Sequence, residues 1–172
     1  MLHYLYLFSL ILLIGCSSPS HYFSLTLYED ALATLKQNTA FNCSAIEASL
    51  LGVQAKKVHS VGTSSHNSTI IVLQKQGKTL AYLYPTNNHK KIARIEVLHP
   101  NITTIHHLHV GQSIEASIQK GLIHCDTNSS CQTTPYSSIS YYINQDTHII
   151  EYIQLDFLKK SHLLNIKKTN DI

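Results

Sequence analysis

Twelve histidines stand in this chain of 172 residues, and the densest group is His106-His107-Leu108-His109, with His99 upstream. Imidazoles gathered on one face could take Zn(II), Cu(II) or Ni(II). In an extended segment His107 and His109 would point to the same side. A closed zinc site needs about four ligands, and no Asp, Glu or Cys lies between His99 and Ile114 to complete one. The missing ligands favour a solvated linker. A metal site on His106, His107 and His109 is the alternative reading. His59 and His124 stand at similar places in the two halves described below, which points to packing or to chance in a His-rich chain.

Sulfur is the second source of chemistry. Of four cysteines, Cys125 and Cys131 bracket the polar stretch Asp126-Thr127-Asn128-Ser129-Ser130. A turn of that kind can bring two Cα atoms to bridging distance. Two free thiols or a metal pair are the other readings, and the spacing is wrong for a Cys-x-x-Cys redox or zinc motif. Cys43 precedes an amphipathic segment and is expected to behave as a small buried apolar residue. Tyrosine is the third. Tyr82, Tyr84, Tyr136, Tyr141, Tyr142 and Tyr152 lie on or beside expected strands. Aromatic faces on exposed sheets are common in protein-binding surfaces, which makes Tyr82, Tyr84, Tyr141 and Tyr152 candidates for binding. Ordinary strand composition is the plainer explanation, since sheets are enriched in Tyr.

Enzyme motifs are absent. There is no Gly-x-Ser-x-Gly elbow, no His-Glu-x-x-His, no Gly-rich phosphate loop and no Ser-x-x-Lys with its partners. No catalytic residue is assigned, and a hydrolase without a recognisable motif ranks third among the functional readings. Net charge is +3 with 13% charged residues, which is no footprint for nucleic acid, where a concentrated basic patch is needed.

The elements that position these residues begin with an apolar run. Residues 1–15 contain no Lys, Arg, Asp or Glu, and Tyr4 to Ile14 is apolar but for one serine. A bilayer span takes about 20 such residues, so this is the length of a signal-peptide core. It ends at Leu13-Ile14-Gly15-Cys16, which resembles the lipobox of bacterial lipoproteins. The resemblance implies cleavage before Cys16 and a covalent lipid on it, with two or three chains giving firm anchorage. Ser17 and Ser18, with no Asp beside the cysteine, imply the outer membrane facing the periplasm. Met1-Leu2-His3 lacks the usual Lys or Arg, and a buried N-terminal strand or helix is the alternative.

Residues 16–39 read as the acylated cysteine, a tether and a short N-terminal element. In that element Phe23, Leu25 and Leu27 alternate as in a strand, while Ala31, Leu32 and Leu35 suit a short helix. Residues 40–158 read as the main domain, in halves of about 40–100 and 108–158. Ser44-Ala45-Ile46-Glu47-Ala48-Ser49-Leu50 matches Gln112-Ser113-Ile114-Glu115-Ala116-Ser117-Ile118, sharing Ile-Glu-Ala-Ser. Each copy opens a helix near a serine and ends near a glycine, Gly52 or Gly121. Strand-like runs follow at 57–61, 69–74, 79–84 and 92–98, and again at 122–125, 131–133, 139–143 and 148–157. The expected fold is α+β: two related α-β-β-β halves forming one antiparallel sheet with helices on one face. Residues 159–172 form a Lys-rich tail, with Lys159, Lys160, Lys167 and Lys168. They suit either a basic amphipathic helix on anionic lipid or a frayed terminus.

Three stretches resemble the RpoE-regulated lipoproteins of bacterial envelopes, a family whose domain has no assigned function. They are Gln74-Lys75-Gln76-Gly77-Lys78-Thr79-Leu80-Ala81-Tyr82, Ile92-Ala93-Arg94-Ile95-Glu96-Val97-Leu98, and Val110-Gly111-Gln112-Ser113 continuing to Cys125, Cys131 and Ile139-Ser140-Tyr141-Tyr142. The resemblance implies an α+β envelope lipoprotein, a paired Cys125 and Cys131, and control by envelope stress in relatives. It implies no catalytic residues. The shorter tether, the extra Cys43 and the Lys-rich tail depart from it. The function expected is a membrane-anchored, non-enzymatic envelope protein that binds another protein during assembly or stress. Its one cofactor-like group is the lipid on Cys16. A periplasmic metal binder using His106, His107 and His109 is the rival.

Overall fold

A computed structural model of the chain describes residues 23–60, 68–126, 129–134 and 137–159. Apolar and polar side chains alternate through most of this span, and strands follow from that period. Strands β1 (Leu25–Tyr28), β2 (Ala31–Leu32) and β3 (Leu35–Lys36) come first. Helix α1 (Cys43–Ser49) leads into β4 (Gln54–Ser60), β5 (Ser68–Lys75), β6 (Lys78–Pro85) and β7 (Ile92–Val97). After β8 (Ile102–Thr104), helix α2 (Glu115–Gln119) leads into β9 (His124–Cys125), β10 (Ser130–Gln132), β11 (Ile139–Ile143) and β12 (Ile150–Asp156).

Two sheets result. The smaller has the order β3-β2-β1-β8, with β8 parallel to β1. The larger has the order β4-β5-β6-β7-β12-β11-β10-β9 and is antiparallel. One core joins them. Leu27, Leu32, Leu35 and Ile102 of the small sheet pack in one cluster with Ile71, Leu83, Ile95, Ile153 and Leu155 of the large sheet and with Ile46 of α1.

The expected α+β domain with two α-β-β-β halves is overturned: the described chain is mostly strand, in sheets of four and eight. The helices are too short to make a layer. In α1, Asn42 caps the first turn by accepting from the Ala45 N–H at 2.9 Å, and Ile46 is the one buried residue. No residue of α2 is buried. Without an apolar face to bury, a short helix has little to lengthen it. The helix expected around Ala31, Leu32 and Leu35 is instead the pair β2 and β3. Ala33 turns the chain with φ of 50°, and its N–H donates to Thr26 O at 2.8 Å. Leu27, Leu32 and Leu35 are then all fully buried, a gain that outweighs local helical spacing.

The register of the large sheet repeats across its centre. Leu83 pairs Ile95 and Ala81 pairs Val97. In the other half, Tyr141 pairs Ile153 and Ile139 pairs Leu155, each residue 58 positions on. The bulge recurs as well, at Tyr84/Pro85 and at Tyr142/Ile143. The two halves meet where β7 pairs β12, with Glu96 opposite Gln154 at the middle. Both sheet edges are blunted. On β4 the Ala55 N–H donates to Glu47 Oε1 of α1 at 2.8 Å, and Lys56 and Lys57 are exposed. Lysines and a covering helix are common protections of a sheet edge. The opposite edge, β9, is two residues long. There Cys125 faces Cys131 across the register, and their sulfurs are 2.13 Å apart, at bonding distance.

Candidate functional site

Along a strand, side chains alternate between faces. In the large sheet, Ile71, Leu83, Ile95, Val97, Ile153, Leu155 and Tyr141 face the core, and their neighbours face outward. On that outward face Val72 and Ser140 are buried, and Tyr82, Glu96 and Gln154 are partly exposed. Tyr82, Glu96, Gln154 and Ser140 form one row across β6, β7, β12 and β11. Gln132 of β10 extends the row, its Nε2 donating to Ser140 Oγ at 2.7 Å.

Two aromatic pairs flank the row. On one side the Arg94 guanidinium lies 4.0 Å from the centre of the Tyr84 ring, and Tyr84 Oη donates to Glu96 Oε2 at 2.9 Å. Burial, and next the Glu96 carboxylate, push the Tyr84 hydroxyl up to about 12. Arg94 Nε is buried with no hydrogen-bond partner. On the other side Tyr142 and Tyr152 stack, with centroids 4.4 Å apart and planes 10° apart. Burial, then Tyr142, raise the Tyr152 pKa. Tyr142 and Tyr152 stand 58 positions on from Tyr84 and Arg94, so the two pairs occupy matching places in the repeated register. All four tyrosines of this face are partly exposed.

Of the sequence candidates, Tyr82, Tyr84 and Tyr152 share this face and Tyr141 does not. Tyr141 is 0% exposed on the core side, because adjacent strand residues point to opposite faces. Its hydroxyl donates to Thr104 Oγ1 at 3.3 Å, and burial pushes its pKa up to about 12. Sequence reasoning left Arg94 and Glu96 out of the candidate set. Their alternation with Ala93, Ile95 and Val97 is the available signal.

The histidine segment is a turn, so the geometry that would align His107 with His109 is absent. His107 has φ of 61°, its N–H donates to Thr104 O at 2.9 Å, and Leu108 between the histidines is buried. His109 Nδ1 lies 3.0 Å from Val110 O. Among the described residues no group of three or more His, Cys, Asp or Glu side chains is placed to hold a metal. His99 Nδ1 accepts from the Asn101 N–H at 3.2 Å, and burial, then Lys78, lower its pKa. His59 Nδ1 lies 3.2 Å from Thr69 Oγ1, and His124 is exposed on β9. Cys43 is partly buried against the core. Cys16, the apolar run before it, Tyr136 and the tail from residue 160 lie outside the described residues.

No family model matches the sequence, and no curated protein matches it. A solved structure does: the crystal structure of the uncharacterized protein yfeY from Escherichia coli, at a TM-score of 0.60 and 15% identity. The fold is shared with yfeY. The likeness covers 76% of this chain and 99% of that one. At this identity the likeness carries the architecture alone, and yfeY is itself uncharacterized. No helix among the described residues is long and apolar enough to cross a membrane.

Proposed function

We propose that this chain is a lipid-anchored bacterial envelope protein of the RpoE-regulated lipoprotein kind, and that it binds another envelope protein through the outward face of its large sheet. The observation that carries the binding surface is the band formed by Tyr82, Tyr84, Arg94, Tyr142 and Tyr152. Aromatic side chains and arginine are enriched where proteins meet, and they dominate the energy there. Stacked and cation-paired rings are already ordered, so little rotamer entropy is lost on docking. The anchor rests on the sequence: an apolar run of signal-peptide length ending at Gly15-Cys16. Outer-membrane placement rests on Ser17 and Ser18. The likeness to a protein of Escherichia coli fits a bacterial source and the proposed family.

Cross-linking in cells carrying tagged protein tests both parts. One dominant envelope partner is expected. Its yield should fall at least about tenfold in Tyr142→Ser/Tyr152→Ser, as is usual when an aromatic hot spot is lost. It should also fall in Cys16→Ala. A partner captured equally by the tyrosine variant would remove the sheet face from the interface.

A further inference from the structure

The histidine turn has no part in that reading, and it borders a cavity of about 380 Å³. This lies within the range of small-molecule sites, about 300–1,000 Å³. The apolar lining is Ile105, Leu108, Leu122 and Ile123. Leu108 and Ile123 are buried, while Ile105 is 38% and Leu122 60% exposed. Two large aliphatic side chains are thus left in solvent beside a buried apolar floor. The polar lining is His106 and His107 from the turn, Ser117 from α2 and Thr133 beyond β10. Among the described residues no carboxylate lines the cavity. An anionic group entering it meets side chains able to donate hydrogen bonds and no like charge.

The turn is held in place from beneath. Thr104 is 1% exposed, and its backbone accepts from His107 N and donates to Leu108 O at 2.8 Å. Its Oγ1 accepts from the Leu108 N–H at 3.2 Å and from Tyr141 Oη of the large sheet. His107 keeps a left-handed backbone, which a side chain with a Cβ adopts only where its surroundings hold it.

We infer that this cavity binds a single medium-length acyl chain bearing a free carboxylate. The chain lies on Ile105, Leu108, Leu122 and Ile123, and the carboxylate lies at His106 and His107. This is a separate site from the tyrosine face and stands without it.

Calorimetric titration of the purified chain with decanoate, below its micelle concentration, tests the site, with decanol as the uncharged counterpart. Saturable one-to-one binding of decanoate is expected, tighter than that of decanol. Leu122→Asp should weaken decanoate at least about tenfold, the usual effect of losing one buried leucine contact. Leu51→Asp makes the same change at a residue 89% exposed and away from the cavity, and it should leave the affinity unchanged. His107→Gly keeps the turn, because glycine adopts positive φ freely. It should weaken decanoate and spare decanol. Absence of saturable binding by the folded chain, equal effects of Leu122→Asp and Leu51→Asp, or decanol binding as tightly as decanoate would each overturn the inference. So would retention on phosphatidylglycerol vesicles, abolished by Leu122→Asp, in a chain that ignores decanoate; that result would assign the cavity to an intact lipid.

Discussion

Tyr84 and Tyr141 hold their phenolic protons up to about 12, against an ordinary value of 10.0. Burial is the first cause in both. For Tyr84 the Glu96 carboxylate adds to it, and for Tyr141 the hydrogen bond to Thr104 works against it. The sign for stability follows from proton counts. Between 10 and about 12 the unfolded chain releases tyrosine protons that the folded chain keeps, so stability falls as pH rises. The contribution is whole below 10 and is lost as pH climbs through the folded-state values. Tyr84→Phe and Tyr141→Phe should each flatten the alkaline fall in urea midpoint. An unchanged slope in both would show that other groups govern it. Arg94 is tied to the same chemistry, since its guanidinium on the Tyr84 ring opposes the rise.

At the scale of the element, strand periodicity was legible and long-range pairing was not. The runs expected at 69–74, 79–84, 92–98 and 139–143 match β5, β6, β7 and β11 to within a residue or so at each end, because an alternating pattern is local information. Nothing local says that β8 pairs in parallel with β1, from Leu25↔Ile102 to Leu27↔Thr104. Nothing local says that Ala31, Leu32 and Leu35 complete a small sheet. Tyr141 reads onto the wrong face because a run of Ile-Ser-Tyr-Tyr-Ile offers two tyrosines of opposite parity. The histidine turn is hidden for a similar reason, since its shape depends on the buried Thr104 and its contact with Tyr141. The edge strand β9 makes its own prediction. With two residues and exposed side chains, it has the Cys125–Cys131 bond in place of packing. Cys125→Ser/Cys131→Ser should cost about 2 kcal/mol, the usual effect of removing a short covalent loop. Guanidinium unfolding measures it, and hydrogen exchange should speed first in β9 and β10. A double variant as stable as the parent would mean that the edge is held by other contacts.

At the scale of the molecule, β7 and β12 form the seam of the large sheet, and residues of both halves and of the small sheet pack over it in one core. The slowest-exchanging amides should therefore lie in β6, β7, β12 and β11 and share one opening free energy. Two separate groups of protected amides, one for each half, would contradict a single cooperative core. The repeated register has a further consequence for anything that docks on the outward face. A surface built twice about its own centre would accept a visitor equally well after half a rotation, and the complex would have two poses. Here the repeat is kept in the backbone and broken in the side chains: Arg94 on one side answers to Tyr152 on the other, and Glu96 faces Gln154. These side chains make the two halves distinguishable, so the face has a direction, and a partner that reads it can arrive only one way round.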